Sequence, residues 1–215
     1  VGALSESPYF DFESENDLRS VSGLVATFRP SLDSTITIGA SRVVYATIPG
    51  IGALPARFLD AVGRWGEGSN VRNAKSGRAA DQLTSLFARI VLPASGIEVY
   101  GEWARVLLPA SIQSFMVAPH HSQGYTVGAQ WLRTRERGSP EWRGQVELTM
   151  LEQPYQDRAS VPPSFYVSPI VPQGYTQRGQ SIGASIGPGA SSQWLALDRL
   201  TAAWRVGGFA GRIRW

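Results

Sequence analysis

The chain is poor in several residue types that carry chemistry in other proteins. It has no cysteine and only two histidines, and 19 of its 20 basic residues are arginine. Without cysteine there is no disulfide framework, no thiolate nucleophile and no cysteine-ligated metal. The small net charge of +3 is not gathered into a basic block, so we do not expect nucleic acid as a partner.

Long hydrophobic runs are also absent. No stretch approaches the roughly 18 consecutive apolar residues that a membrane helix needs, so a helical span is excluded. Two classes remain: a soluble globular protein, or a transmembrane β-barrel, whose signal lies in short alternating segments. The chain opens at Val1 without a signal peptide, and we expect a mature product or part of a longer protein.

Turn residues and alternating segments are plentiful. The 23 glycines and 14 prolines separate stretches in which apolar and polar residues alternate, as in a strand between two environments. Four hairpins are predicted, with turns at Pro30–Ser34, at Pro93–Gly96, between Leu132 and Trp142, and at Gly207-Gly208. The last hairpin lacks clean alternation in its first strand, which predicts a bulge near Asp198.

Strand length and side-chain pattern favour a membrane barrel over a soluble β-sandwich. Many segments reach about ten residues, as a bilayer crossing requires, whereas strands of soluble sheets average nearer five or six. Long connections alternate with short turns, which predicts long loops on one rim. One face of each strand is apolar, and the other carries charges that a polar interior accepts: Glu98, Glu102, Arg143, Glu147, Arg212 and Arg214. Aromatic residues near strand ends fit interfacial girdles: Tyr125, Trp142, Trp194, Trp204 and Trp215.

These patterns predict an all-β protein: an antiparallel transmembrane β-barrel with about eight strands in this chain. Residues 1–215 form a single barrel domain or part of a larger barrel, with outer-membrane lipid around it. The alternative is a soluble sandwich with long loops. Within the first long connection, Pro55 to Trp65 has the pattern of a short helix, limited by Gly63.

The stretch "YTQRGQSIGASIGPGASS", from Tyr175 to Ser192, interrupts the strands. It lacks the glycine spacings and the lysine of a phosphate-binding loop, and a strand follows it rather than a helix. The aromatic and proline residues that precede it are not typical of a disordered linker. We therefore expect an ordered loop.

Few residues offer catalytic or metal chemistry. His120 and His121 are neighbours, and on extended backbone they point in opposite directions, so they are poorly placed to share one metal. Glu98 and Glu102 stand about 13 Å apart along one strand, too far for an acid and base pair. Glu102 could instead pair with Glu147 in a hydrolase. No cofactor or metal is expected.

Several segments together resemble the capsule assembly Wzi family of Gram-negative outer-membrane proteins. They are "QLTSLFARIVLP", "IEVYGEWAR", "PHHSQGYTVGAQWL" and "YTQRGQSIGASIGPGASSQWLALD", and the likeness is strongest over residues 83–204. Family members have an acidic residue a few positions after the Gly-Glu-Trp element, where this chain reads "ARVLLPAS". Family barrels also have about eighteen strands, so the resemblance implies either a partial chain or a narrower barrel.

The resemblance implies a barrel that binds capsular or surface polysaccharide without enzymatic activity and helps attach it at the cell surface. The candidate ligand-binding residues are Glu98, Glu102, Trp103, His121, Tyr125, Gln130, Tyr175, Gln177, Arg178 and Gln180. Aromatic members would stack on sugar rings while polar members bind hydroxyls. Two alternatives stay open: a carbohydrate-active hydrolase using Glu102 and Glu147, and a passive pore or structural barrel.

Overall fold

The computed structural model describes residues 1–13, 16–31, 35–63, 80–106, 116, 122–133, 141–152 and 165–215. Eleven strands lie in these ranges: β1 (Gly2–Ser5), β2 (Leu18–Phe28), β3 (Ile36–Thr47), β4 (Ala80–Leu92), β5 (Ile97–Arg105), β6 (Gln123–Arg133), β7 (Glu141–Met150), β8 (Thr176–Gln177), β9 (Gln180–Ser181), β10 (Ser191–Leu200) and β11 (Arg205–Arg214). The helical elements are two short 3-10 turns, Ile51–Ala53 and Pro55–Arg57, and helix α1, Asp60–Gly63. No helix in the described ranges is long and apolar enough to cross a membrane.

Nine strands form one antiparallel sheet in the order β1-β2-β3-β4-β5-β6-β7-β10-β11. The eight strands predicted from alternation are all present, and the all-β antiparallel class is confirmed. The short strands β1, β8 and β9 were missed because two to four residues are too few to show a period. Sequential pairing from β1 to β11 leaves these two as the edge strands of the sheet in the described ranges. Closure into a barrel therefore stays a prediction.

The connections alternate in length as predicted. Short turns join β2 to β3, β4 to β5, β6 to β7 and β10 to β11 at one rim, and long connections share the other. The predicted turn at Pro93–Gly96 is confirmed, with the Gly96 amide donating to the Pro93 carbonyl at 3.2 Å. Gly96 has a φ of +65°, a conformation that glycine adopts without strain. Residues 32–34 and 134–140 of two other turns lie outside the described ranges.

The prediction for the last hairpin is wrong in three respects. Its turn is 201–204, where the Thr201 amide donates to the Trp204 carbonyl at 2.9 Å, and Gly207 lies inside β11. The register through Asp198 is unbroken, so there is no bulge. Arg212 and Arg214 lie on the apolar face instead of the charged one, because they share a face with Gln193 and Ser191.

Each face of the sheet has its own chemistry. We call one the apolar face, and its side chains are Leu24, Ala26, Phe28, Ile36, Ile38, Ala40, Leu86, Ala88, Ile90, Ile97, Val99, Trp103, Tyr125, Val127, Ala129, Trp131, Trp142, Val146, Leu148, Leu195, Leu197, Val206 and Ala210. We call the other the polar face, and it includes Ser41, Ser85, Arg89, Glu98, Tyr100, Glu102, Thr126, Gln130, Arg143, Gln145, Glu147, Thr149, Asp198 and Arg205.

The apolar face is largely uncovered. Val127 and Leu148 in the middle of the sheet are each 50% exposed, and Val99 is 41% exposed. Burying large apolar side chains is the main favourable term in folding, so a broad open apolar face has to be covered by something else.

Residues 165–190, which we call the cap segment, cover the polar face at the rim of the long connections. Phe165, Ile186 and Ala190 of the cap segment are buried against Val106 and Leu151 at the ends of β5 and β7. This cluster is the main hydrophobic core of the described chain. The expectation of an ordered loop is therefore confirmed.

The segment from Ile51 to Gly63 covers the same rim from the other side of the sheet. The Arg42 guanidinium donates to the Ala61 carbonyl at 3.0 Å, and the Ser22 hydroxyl donates to the Phe58 carbonyl at 3.1 Å. Because Ser22 and Arg42 lie on the apolar face, these bonds satisfy polar groups at its end. The predicted helix over Pro55 to Trp65 is present in part, as a 3-10 turn followed by α1, and its residues 64 and 65 lie outside the described ranges.

Candidate functional site

The polar face carries a ladder of three sets of paired polar side chains, and the exposed Glu102 lies on the same face. At one step the Arg89 guanidinium binds Glu98 in a bidentate manner, with nitrogen to oxygen distances of 2.7 and 2.6 Å. Gln130 is the cross-strand partner of Glu98, and its side chain also hydrogen-bonds the Glu98 carboxylate. Bidentate arginine pairs hold a carboxylate in a defined orientation. Two predicted site residues, Glu98 and Gln130, are thus brought together.

The second step of the ladder is centred on Tyr100. Its hydroxyl donates to Glu147 Oε2 at 2.5 Å and lies 3.5 Å from the Gln145 amide nitrogen. Gly128 makes room for this ring, because a Cβ there would stand 2.3 Å from Tyr100 Cζ. The glycine in the middle of β6 is therefore a close-approach position, as isolated strand glycines often are.

The third step is a carboxylate between two arginines. Asp198 Oδ2 accepts from the Arg143 guanidinium at 2.7 Å and from the Arg205 guanidinium at 2.9 Å. Gly207 accommodates the carboxylate, since a Cβ there would meet Asp198 Oδ1 at 2.2 Å. Gly207, one of the two glycines expected in a turn, therefore makes room for a side chain inside the strand.

Trp103 and Tyr125, predicted as stacking platforms, lie on the opposite face from Glu98 and Glu102. They are a direct cross-strand pair at the long-connection end of the apolar face. Near the other end of that face lie Trp131 and Trp142, paired with Gly144 and Arg133 respectively. The geometry places the two candidate aromatics at one end of an apolar band, apart from the polar ladder.

Four further predicted residues belong to the cap segment: Tyr175, Gln177, Arg178 and Gln180. Gln177 and Gln180 are paired in the β8–β9 hairpin, whose turn residues Arg178 and Gly179 both have positive φ, at 51° and 79°. Two positive φ values are what a type I′ turn requires. Gln177 Oε1 accepts from the Ser5 amide at 2.7 Å, so this side chain anchors the hairpin to β1. Arg178 and Gln180 are exposed at the tip.

Tyr175 is a half-buried member of a cluster of three tyrosines. Its ring centroid lies 5.5 Å from that of Tyr45 and 6.2 Å from that of Tyr166. Burial raises the pKa of the Tyr175 hydroxyl, and the neighbouring Tyr166 raises it further. Burial likewise raises the pKa of Tyr166, while the bond with the Ala184 amide lowers it and the charge of Glu102 adds a smaller rise. Tyr175 thus packs the cap segment onto the sheet.

The cap segment is held by a fully buried arginine that sequence reasoning missed. Arg19 donates to the carbonyls of Gly174 at 2.8 Å and Ser5 at 3.0 Å, and to Thr176 Oγ1 at 3.1 Å. Its residue exposure is 0%. Nothing in the local sequence around Arg19 indicates this role, because its partners are 14 to 157 residues away.

The hydrolase alternative requires the carboxyl groups of Glu102 and Glu147 to act as a pair. Both lie on the polar face, two strands apart and offset by two residues, so their Cα atoms are about 12 Å apart in a flat sheet. Glu147 is bound by the Tyr100 hydroxyl rather than by an arginine.

His121, the remaining predicted site residue, lies outside the described residues.

None of the family models, curated proteins or solved structures compared with this chain matches it. The resemblance to the capsule assembly family therefore stays a prediction.

Proposed function

We propose that the sheet is part of the wall of an outer-membrane β-barrel that holds capsular or surface polysaccharide non-covalently and helps attach it to the cell. The observation that carries the membrane part is the uncovered apolar face. Val127 and Leu148, at the centre of the sheet, are each half exposed to their surroundings. Lipid acyl chains are the medium in which such a face is stable.

The ends of the apolar face support the same proposal. The central aliphatic side chains are bounded by Trp103 and Tyr125 near one rim and by Trp131 and Trp142 near the other. Five cations on this face also lie near strand ends: Arg105, Arg133, Arg199, Arg212 and Arg214. Aromatic rings and long cationic side chains both favour the interface between lipid and water.

The polar face supports the binding part of the proposal. Several of its carboxylates, amides and hydroxyls hold one another in place, as in the Arg89–Glu98 pair and the Tyr100–Glu147 bond. Fixed donors and acceptors recognise sugar hydroxyls at little cost in conformational entropy. The exposed side chains of Arg178 and Gln180 at the tip of the β8–β9 hairpin add free polar groups at the long-connection rim.

Two experiments test the proposal separately. Reconstitution into lipid vesicles should give a species that resists protease and migrates differently on gels before and after boiling. Failure to enter vesicles from the folded detergent state contradicts the membrane part.

For binding, the purified barrel is titrated with surface polysaccharide from an encapsulated Gram-negative strain. We expect saturable binding that is weakened in an Arg178→Ala, Gln180→Ala double variant. The matched control is Arg29→Ala, an exposed arginine just after β2. Absence of binding by the parent protein, together with conductance in planar bilayers, favours the passive pore.

A further inference from the structure

We propose that the polar face holds a binding site for a neutral sugar unit, built on Trp194 and Phe209 and closed on one side by the cap segment. The inference rests on the proposed polysaccharide function and gives it a location. None of the aromatic residues expected to stack on sugar from the sequence takes part in this site.

The site is a cavity of about 510 Å³ between the sheet and the cap segment. Strands β6, β7, β10 and β11 supply its floor, and Ala184, Ser185 and Ile186 supply its side. A volume of this size falls within the range of about 300–1,000 Å³ typical of small-molecule sites.

Two aromatic rings form part of the floor. Trp194 and Phe209 are stacked, with ring centroids 4.5 Å apart and planes inclined by 20°. Phe209 is 72% exposed, so the pair leaves aromatic surface open that no packing in the described chain uses. Gly211 lets the indole lie across β11, because a Cβ there would stand 2.9 Å from Trp194 Cε3. The apolar C–H face of a pyranose packs on such a ring.

Hydrogen-bonding groups stand beside the platform. Glu147 is the direct cross-strand partner of Trp194, so its carboxylate and the indole project from adjacent positions on one face. The Tyr100 hydroxyl binds Glu147 Oε2 at 2.5 Å, which fixes the carboxylate while Oε1 keeps acceptor capacity. Gln145, one position along the same face, adds an amide with both donor and acceptor groups. A stacked aromatic pair flanked by fixed hydrogen-bonding groups can bind the apolar face and the hydroxyls of a sugar ring together.

The charge of the cavity selects the class of sugar. No arginine or lysine is among the described residues that line it, and Glu147 is its one carboxylate. The nearby cations Arg143 and Arg205 are already bound to Asp198. A uronic or sialic acid unit would bring a second negative charge next to Glu147 without a cation to balance it. The site therefore fits a neutral hexose rather than an acidic one.

The cap segment completes the site. Its wall is fixed by the Trp215 indole, which donates to the Ile186 carbonyl at 3.1 Å, and by the Ala184 amide, which donates to the Tyr166 hydroxyl at 3.0 Å. A ligand in the cavity would touch sheet and cap together, so binding should also slow release of the cap segment.

The test uses the purified full chain in detergent with two probes: maltohexaose as the neutral probe and an oligomannuronate hexasaccharide as the acidic one. Saturation-transfer NMR and calorimetry measure binding to the parent, Phe209→Ala and Phe28→Ala proteins. Phe28 is the matched control, because it is an exposed strand phenylalanine on the apolar face. We expect maltohexaose to bind the parent protein and Phe28→Ala with the same affinity, and to bind Phe209→Ala about tenfold more weakly. The acidic probe should bind the parent protein more weakly than maltohexaose does.

Three results overturn the inference. Equal binding of maltohexaose to Phe209→Ala and Phe28→Ala would place the sugar elsewhere, and the proposed function would survive if whole polysaccharide still bound. Preference for the acidic probe would refute the neutral class. Failure of the parent to bind either probe would remove the site, and failure with whole polysaccharide as well would remove the proposed function too.

Discussion

Replacing Arg19 with methionine should release the cap segment from the sheet. The side chain is fully buried and donates to three oxygen atoms at 3.1 Å or less, two of them on the cap segment. Methionine fills similar space but cannot donate a hydrogen bond, so it leaves buried oxygens without a partner.

The magnitude follows from the bonds lost. Hydrogen bonds to a charged group contribute about 1.5–3 kcal/mol each, and an unsatisfied buried acceptor costs about 1–3 kcal/mol. Part of this is offset because a buried guanidinium no longer has to be desolvated. We expect the free energy that holds the cap segment on the sheet to fall by about 4 kcal/mol. This corresponds to roughly a thousandfold rise in the population of molecules whose cap segment is released.

Amide hydrogen exchange measures this opening directly. The reporters are the amides of Gly174, Tyr175 and Gly187, each bonded to another residue of the cap segment. Exchange at these amides should rise in Arg19→Met and stay unchanged in Arg29→Met, whose arginine is exposed. Protection equal to that of the parent protein would refute the assignment of Arg19 as the anchor of the cap segment.

Three further predictions address the two faces and the cap. Gly128→Ala should lower the free energy of unfolding by about 1–3 kcal/mol, because its methyl collides with Tyr100, and the loss should shrink in a Tyr100→Ala background. Leu148→Arg should cost about 2–4 kcal/mol in urea titrations of the lipid-embedded protein, whereas Gln145→Arg on the polar face should cost less than about 1 kcal/mol. Raising the pH above about 10 should loosen the cap segment as Tyr175 ionises. The ionisation is measured by the absorbance of tyrosinate.

The sign of the alkaline effect comes from the raised pKa of Tyr175. A neutral hydroxyl is favoured in the folded state, so its contribution to stability is complete below the unfolded pKa of about 10 and is lost as the pH rises through the higher folded value. Tyr175→Phe cannot ionise at this position and should lose less cap protection on alkalinisation. Identical alkaline behaviour of the two proteins would show that another group controls docking.

Local alternation was enough to predict the strands of the sheet and most of their faces. In β5, Val99 and Glu102 alternate cleanly, and the register places them on opposite faces as expected. The prediction failed for β11, where Arg212 and Arg214 were assigned to the charged face. Side-chain chemistry within that one strand did not reveal its face, because the face is set by pairing with Trp194 and Asp198 on β10.

The binding residues were harder to predict than the strands. Sequence reasoning chose Trp103 and Tyr125 because aromatic residues suit sugars, although the alternation in β5 already placed Trp103 on the opposite face from Glu102. Gln177 was taken for a ligand group although it binds the Ser5 amide. Trp194 was expected in an interfacial girdle but stacks on Phe209 over the polar face. Contacts between distant segments decide the roles of Gln177 and Trp194, and no local pattern encodes them.

Because the chain contains no cysteine, single cysteines can report the surroundings of each face without background. Adjacent pairs on opposite faces are Val127 with Thr126 and Val146 with Gln145. Each is replaced by cysteine, labelled with a fluorophore and reconstituted into vesicles. The account predicts that labels at 127 and 146 are quenched by brominated lipid and shielded from aqueous iodide, while labels at 126 and 145 show the reverse. Quenching by iodide alone at all four positions would contradict a lipid-facing apolar surface.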